Sequence, residues 1–284
     1  MIKCVVVRGG GDLATGVVHA LVQCGMPCVI LETESPSAIR RKVSFCEAVY
    51  EKKVSVEDVT AVLVTDASAA AGMLKKGRDD TVPLLIDEKC AFLSEAPSCG
   101  ITVAALIDAV IAKRNIGTRH DMAPVVIALG PGFTAGKSGD CDAVIETMRG
   151  HDLGRIITSG SAVPNTGVPG IIAGFGKERV VHAPAAGSIT PVHDIGDIVA
   201  EGDVLAYIAA DTGSVPVISP LTGVLRGMIH SGYAVFSGMK IADVDPRKDE
   251  QKNCFTISDK SRALGNSTLH ALLMTAKRKG VVLC

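Results

Sequence analysis

Ile2-Lys3-Cys4-Val5-Val6-Val7-Arg8-Gly9-Gly10-Gly11-Asp12-Leu13-Ala14-Thr15-Gly16 decides how the chain is read. An apolar strand runs into Gly9-x-Gly11-x-x-Ala14, and apolar residues at 13, 17, 20, 21 and 24 then recur at helical spacing. This order of elements brings backbone N–H groups and a helix N-terminus onto a diphosphate. Gly9 permits the tight turn, Gly11 lets a ligand approach the main chain, and Ala14 lets the helix sit close on the strand. Gly10 and Asp12 complete the loop. A second strand over 27–31 leads to Glu32, 21 residues beyond Gly11, where a carboxylate meets a ribose diol. The expectation is a Rossmann-like unit that holds a dinucleotide, and Gly25 followed by Pro27 marks the end of its first helix.

The 284 residues predict two domains at roughly 150 residues each. A formal net charge of −1 gives no electrostatic footprint for nucleic acid or an anionic membrane. Mean hydropathy is +0.34, yet no run reaches the ~18 uninterrupted apolar residues that a membrane span requires. A strand that begins at residue 2 leaves no room for a signal peptide. Nine scattered cysteines without a Cys-x-x-Cys pair are expected as reduced core residues of a cytoplasmic protein, without structural zinc. No metal site is expected.

Further strands are expected over 61–65, 82–86, 125–129 and 155–158, with helices over 67–76, 101–114 and 143–149. Such alternation indicates a parallel sheet covered on both faces. From about residue 180 short strands are punctuated by glycines. Pro184, Gly187, Gly196, Val199, Gly202 and Ala206 recur 36 positions later as Pro220, Gly223, Gly232, Val235, Gly238 and Ala242. The repeat resembles the two halves of biotinyl and lipoyl domains. The joint at 209–215 has no lysine, so a non-carrier barrel-sandwich module is expected. The predicted division is an α/β domain over 1–180, the β module over 181–250, and a helical tail over 251–284 that packs back. In the tail Ser267 is read as a cap, Leu269, Leu272, Leu273 and Ala276 as a stripe, and Lys277-Arg278-Lys279 as cations suited to the helix C-terminus before Gly280.

A second glycine-rich loop runs from Gly130 through Gly132 and Thr134 to Ser138. It misses the Walker A spacing by one residue at each candidate glycine, so a nucleoside triphosphatase is excluded. The loop either closes a ligand crevice at the carboxyl edge of the sheet or is a Gly/Pro-rich connection that only turns the chain. Cys141 is a weak candidate nucleophile: a helix start lowers its pKa, while Asp140 and Asp142 raise it. Arg149, His151 and Arg155 either cap a helix end or hold an anionic substrate. Arg40 and Arg41 either bracket a phosphate or form a solvated loop. A ribose contact at Glu32 favours NAD over NADP, while FAD and pterin dinucleotides present the same diphosphate and diol.

Several stretches together resemble the maturation proteins of selenium-dependent molybdenum hydroxylases, the YqeB group. They are 7–16, Pro36 with Ile39-Arg40-Arg41, 128–136, and 144–155. The family is similar in its nucleotide-binding fold to xanthine dehydrogenase accessory proteins. The resemblance implies a cytoplasmic bacterial factor that helps equip a client molybdenum hydroxylase with its selenium-containing, cofactor-loaded site. Together with the glycine turn, it makes NAD or a molybdopterin dinucleotide the expected ligand. An NAD-dependent oxidoreductase and a non-catalytic scaffold for the client are the alternatives.

Overall fold

The computed structural model describes residues 1–77, 80–167, 170 and 173–283. The chain divides into two units: residues 1–36, 44–165 and 257–284 form the first, and 37–43 with 166–256 form the second.

The first unit is built on a nine-stranded sheet. In chain order its elements are β1 (Ile2–Arg8), α1 (Asp12–Gln23), β2 (Cys28–Glu32), α2 (Ala48–Glu51), β3 (Lys53–Val56), β4 (Val59–Leu63), α3 (Ala67–Lys75), β5 (Thr81–Ile86), α4 (Phe92–Glu95), β6 (Ile101–Asp108), β7 (Val125–Leu129), β8 (Thr134–Ala135), β9 (Ala143–Ile145), β10 (Ile156–Ile157) and β11 (Gly160–Ser161). The helix α5 (Asp259–Lys279) completes it. Strand order is β10-β9-β7-β6-β1-β2-β5-β4-β3. The strands from β9 to β4 are parallel, while β3 and β10 pair antiparallel at the two edges. The chain grows one way from β1 through β2 and β5, then restarts on the other side of β1 at β6.

Alternate side chains take opposite faces. Cys4, Val6, Val29, Leu31, Leu106, Val126 and Val144 share one core with Ala67, Ala70 and Ala71 of α3 and Phe92 of α4. On the sheet's other side, α5 contacts β7 and β9 and packs along α1. Its buried residues are small: Ser261, Gly265, Thr268, Ala271, Thr275 and Ala276, with Leu264 and Leu272. Ser261 Oγ donates to the Asp12 carbonyl at 2.7 Å. A Cβ on Gly16 would land on Ser261, and one on Gly265 would land on the Gly16 carbonyl. The residue order of these contacts shows that the two helices run in the same direction.

The second unit holds two four-stranded antiparallel sheets. Its strands are β12 (Val180–His182), β13 (Gly187–Pro191), β14 (Ile198–Val199), β15 (Val204–Ala210), β16 (Gly213–Ile218), β17 (Gly223–Met228), β18 (Ala234–Val235) and β19 (Lys240–Asp245). One sheet has the order β12-β19-β17-β14 and the other β16-β15-β13-β18. The 36-residue repeat is visible as strands that start at Gly187 and Gly223, then at 198 and 234, then at 204 and 240. The copies trade partners, since β13 pairs β18 and β14 pairs β17. Ile39 packs on this unit's core, and its carbonyl accepts from the Met228 amide at 2.8 Å.

These observations correct the expected fold class. The large sheet is mixed rather than Rossmann-like and fully parallel. β3 and β4 are joined at Glu57 and Asp58, a link too short for a parallel crossover. The expected helix over 101–114 is the eight-residue strand β6 followed by irregular chain, and the one over 143–149 is the three-residue strand β9. A biotinyl/lipoyl-like barrel-sandwich module is not part of the architecture; the elements there are the two antiparallel sheets. The joint at 209–215 is largely inside the strand pair β15–β16. No described helix is long and apolar enough to cross a membrane.

In the second unit Asp245 accepts from Arg226 Nη1 at 2.6 Å and from Arg247 Nη2 at 2.8 Å. Burial pushes its carboxyl upward, but the bonds from Arg247 and Arg226 overcome this and hold it at about 2. A folded-state value below the unfolded one contributes stability above pH ~4 that is lost as pH falls toward 2. Comparing the pH-dependence of urea unfolding for the parent and Asp245→Asn isolates this contribution, and the gap between them should close over that window. For the first unit, Gly265→Ala should cost about 1–3 kcal/mol by overpacking the α1–α5 contact, read from the urea midpoint, whereas Gly72→Ala, inside α3, meets open space and should not.

Candidate functional site

The carboxyl edge of the parallel strands is where topology places a ligand crevice, next to the reversal between β1 and β6. Gly9 leaves β1 at φ +93, a conformation that favours glycine. A Cβ there would stand 3.0 Å from the Val110 backbone, beyond β6. At Gly10 a Cβ would stand 2.9 Å from the Cys46 amide, and that amide donates to the Gly10 carbonyl at 2.8 Å. Gly11 differs from both. It caps α1 in extended backbone (φ −65, ψ 178), no side chain caps the helix, and a Cβ would meet nothing within 4 Å. Open space therefore adjoins the N-terminus of α1 at Gly11.

Glu32 is at the end of β2, beside this turn, but it faces inward. It is 8% exposed, and its carboxylate accepts from the Gly10 amide at 2.7 Å and the Thr33 amide at 2.8 Å. Desolvation raises its pKa, against the lowering effect of those two amides. Its visible role is to brace the glycine turn. Ala14 is fully buried, as the close seat of α1 demands, and Asp12 forms the first residue of the helix.

Gly130 follows β7, where a Cβ would stand 2.8 Å from Thr147 Oγ1. Gly132 has φ +107, and a Cβ would land on the Arg114 main chain. This loop is therefore close-packed against the chain that follows β6 and β9. Thr134 is on β8, where its amide donates to Asp140 and its hydroxyl meets Ser161 Oγ at 3.1 Å. From there the chain returns to the amino end of β7, where the Asp142 amide donates to the Val126 carbonyl.

Cys141 is fully buried on that return, without the expected helix start. Burial first, then Asp140 and Asp142, push its thiol up to about 12. A thiol so held is a poor nucleophile. The remaining anion candidates are dispersed. Arg149 forks onto Asp259 at 2.7 and 3.0 Å, Arg155 pairs with Asp152 at 3.2 Å, and His151 is exposed. No helix ends there for them to cap. Arg40 and Arg41 belong to the second unit, where Arg41 donates to the Met228 carbonyl at 2.8 Å and lies 3.6 Å from Asp194.

Two buried clusters at this edge escaped the sequence reading. Arg8, at the end of β1, donates to Asp108 at 3.2 Å, to Thr118 Oγ1 at 3.0 Å, and to the carbonyls of Glu88 and Ile116. Asp108 is 1% exposed and also accepts from Thr118 and from the Val110 amide. Glu146, beyond β9, accepts from the amides of Met148 and Val163, both at 2.7 Å. The only sequence signal for either was a charged residue at the end of an apolar strand.

No family model matches the chain. Over 273 residues, 96% of this chain, it is 48% identical to "Uncharacterized protein YqeB" of Escherichia coli (strain K12). The chain spans about half of that relative's length, 48%. This likeness supports the resemblance to the YqeB group. A succinylglutamate desuccinylase/aspartoacylase from Rhodobacter sphaeroides aligns with a TM-score of 0.26 at 11% identity, over 87% of this chain and 86% of that one. The apo ectoine utilization protein EutE (DoeB) from Ruegeria pomeroyi aligns with a TM-score of 0.25 at 10% identity, over 86% of each chain. Backbones that differ this much carry no inference about fold or chemistry.

Arg8→Met leaves Asp108 buried without its guanidinium and should cost about 3–5 kcal/mol in urea unfolding. Adding Asp108→Leu to that variant should recover part of the loss, because it removes the uncompensated charge.

Proposed function

We propose that the chain is an accessory factor that holds a phosphate-bearing ligand, NAD or a molybdopterin dinucleotide, at the N-terminus of α1 while it serves a selenium-dependent molybdenum hydroxylase. One observation carries the ligand half of this reading. Gly11 is the single glycine of the first turn with free space at its α-carbon, and it caps a twelve-residue helix that has no capping side chain. A helix N-terminus with open space at its cap, beside the strand reversal at a carboxyl edge, suits a phosphate group. The maturation half rests on the resemblance to the YqeB group, supported by 48% identity to YqeB over most of this chain.

The site acts in this reading by binding and presentation. Gly9 and Gly10 shape the turn, Glu32 fixes it by taking the Gly10 amide, and Gly11 gives the phosphate its approach. Cys141 supplies no activated nucleophile, since it is buried and its thiol is pushed up to about 12. A second reading is favoured by the same brace. With the Gly10 amide satisfied by Glu32 and its carbonyl by Cys46, the turn is stable without a ligand. That arrangement also suits a scaffold that docks the client hydroxylase and binds no nucleotide.

Thermal melting with NAD, NADP, FAD and molybdopterin dinucleotide separates the two. A ligand at ~100 times its dissociation constant adds about 2.7 kcal/mol of stability. The parent should gain a shift with at least one of the four, and Gly11→Val should lose it. The valine itself should cost about 1 kcal/mol or less, because φ −65 suits any residue and nothing crowds the position. A parent that none of the four shifts, or a Gly11→Val protein that shifts equally, overturns the ligand reading.

A further inference from the structure

We propose that the outward face of the sheet β16-β15-β13-β18 is an interaction surface for a second copy of this chain, the two copies meeting face to face about a two-fold axis. The inward face of this sheet is ordinary core, with Ile189, Ile208 and Val217 buried. Its outward face is not what a solvated sheet predicts. No acidic, basic or histidine side chain occurs in any of its four strands. Thr190, Tyr207 and Pro216 are direct neighbours across three strands and form the central row. Tyr207 is 43% exposed, Ile218 of β16 is 46% exposed, and Val192, next to the end of β13, is 55% exposed. The remaining outward positions of the strands are serine and alanine.

The unit's other sheet makes the contrast. Its strands carry Arg226, Asp243 and Asp245, and Lys248–Cys254 of the same unit pack on β17. Around the uncharged face, charge begins only at the ends of the strands, with Asp203 before β15 and Asp211 in the turn before β16. A dry centre inside a polar rim is the anatomy of a protein contact. Charge complementarity selects the occupant. A partner that brought charge onto Tyr207, Ile218 and Val192 would bury it unpaired, so the face accepts only another uncharged face. An isologous contact sets a patch against itself, and it is excluded wherever a charge would meet its own copy. This patch meets that condition, and a second copy brings the matching surface. Strand addition is the poorer geometry: β16 is an edge strand interrupted by Pro216, and the opposite edge, β18, is two residues long. Tyr207, central and amphipathic, is the anchor. A patch of this size suits a concentration-dependent dimer rather than an obligate one.

Sedimentation equilibrium on the full chain, over about 1–100 μM, tests this. The parent should pass from monomer toward dimer as concentration rises. Tyr207→Glu and Ile218→Lys should each raise the dissociation constant about 30-fold or more, the loss expected when a central contact is replaced by a charge with no partner. Leu273→Glu, at an exposed position of α5 outside this face, should dimerise as the parent does. Melting temperatures of the diluted variants should match the parent's, because all three side chains are exposed in the monomer. If Tyr207→Glu melts early, Tyr207 is structural and Ile218→Lys decides alone. A parent that stays monomeric throughout the range overturns the proposal, and so would a face occupied by a different protein. A dimer that survives both Tyr207→Glu and Ile218→Lys, or that Leu273→Glu breaks equally, is formed elsewhere and also overturns it.

Discussion

Between Gly9 and Gly16 the main chain is approached so closely that three of its glycines have no room for a methyl group. Val110 comes against Gly9, Cys46 against Gly10, and Ser261 of α5 against Gly16. Each approach ties a different part of the first unit to the exit of its central strand. The chain after β6 fixes one side, the segment before α2 covers the turn, and α5 is drawn along α1. Interiors packed this tightly tolerate few changes of volume. The arrangement of the carboxyl edge therefore depends on backbone contacts that only glycine permits, with the buried Glu32 carboxylate locking the turn through the Gly10 amide.

That crowding also selects where a ligand can approach. Of the four consecutive residues that leave β1, Gly9 and Gly10 are closed by neighbours, while Gly11 faces open space and Asp12 begins the helix. The polar groups around them follow one pattern. Glu32 and Glu146 both turn their carboxylates inward onto amides, and Asp108 takes Arg8, Thr118 and an amide. Buried charges are stable when paired and hydrogen-bonded, so these groups hold the loops in place.

Much of the first unit could be read from residues whose local and tertiary preferences agree. β1, α1 and β2 fall where the apolar strand, the glycine turn and the Gly25 stop predict them. Gly280 ends α5 in the left-handed conformation, with Lys277, Arg278 and Lys279 in its last turn. Residues 101–112 misled because a short apolar run fits a buried strand as well as a buried helix. Ile101, Thr102, Val103 and Ile107 are β-branched, and that preference prevailed. The α5 stripe misled for a different reason. Leu273 is 47% exposed, while Ser261, Gly265 and Thr268 are buried, because a helix that seats closely on α1 buries small residues that hydropathy ranks low. The tail's first turn was invisible for the same reason.

The correction at Arg40 and Arg41 has a physical cause of its own. Sequence proximity placed them just beyond β2, within reach of a phosphate at the glycine turn. Ile39 decides otherwise. Its side chain packs on the second unit's core, its carbonyl takes the Met228 amide, and Gly227 leaves room for it where a Cβ would stand 3.1 Å from that carbonyl. Seven residues, 37–43, are thereby committed to a unit otherwise formed from 166–256. One buried isoleucine and one backbone hydrogen bond outweigh the local pattern, because both are lost if the segment stays with β2.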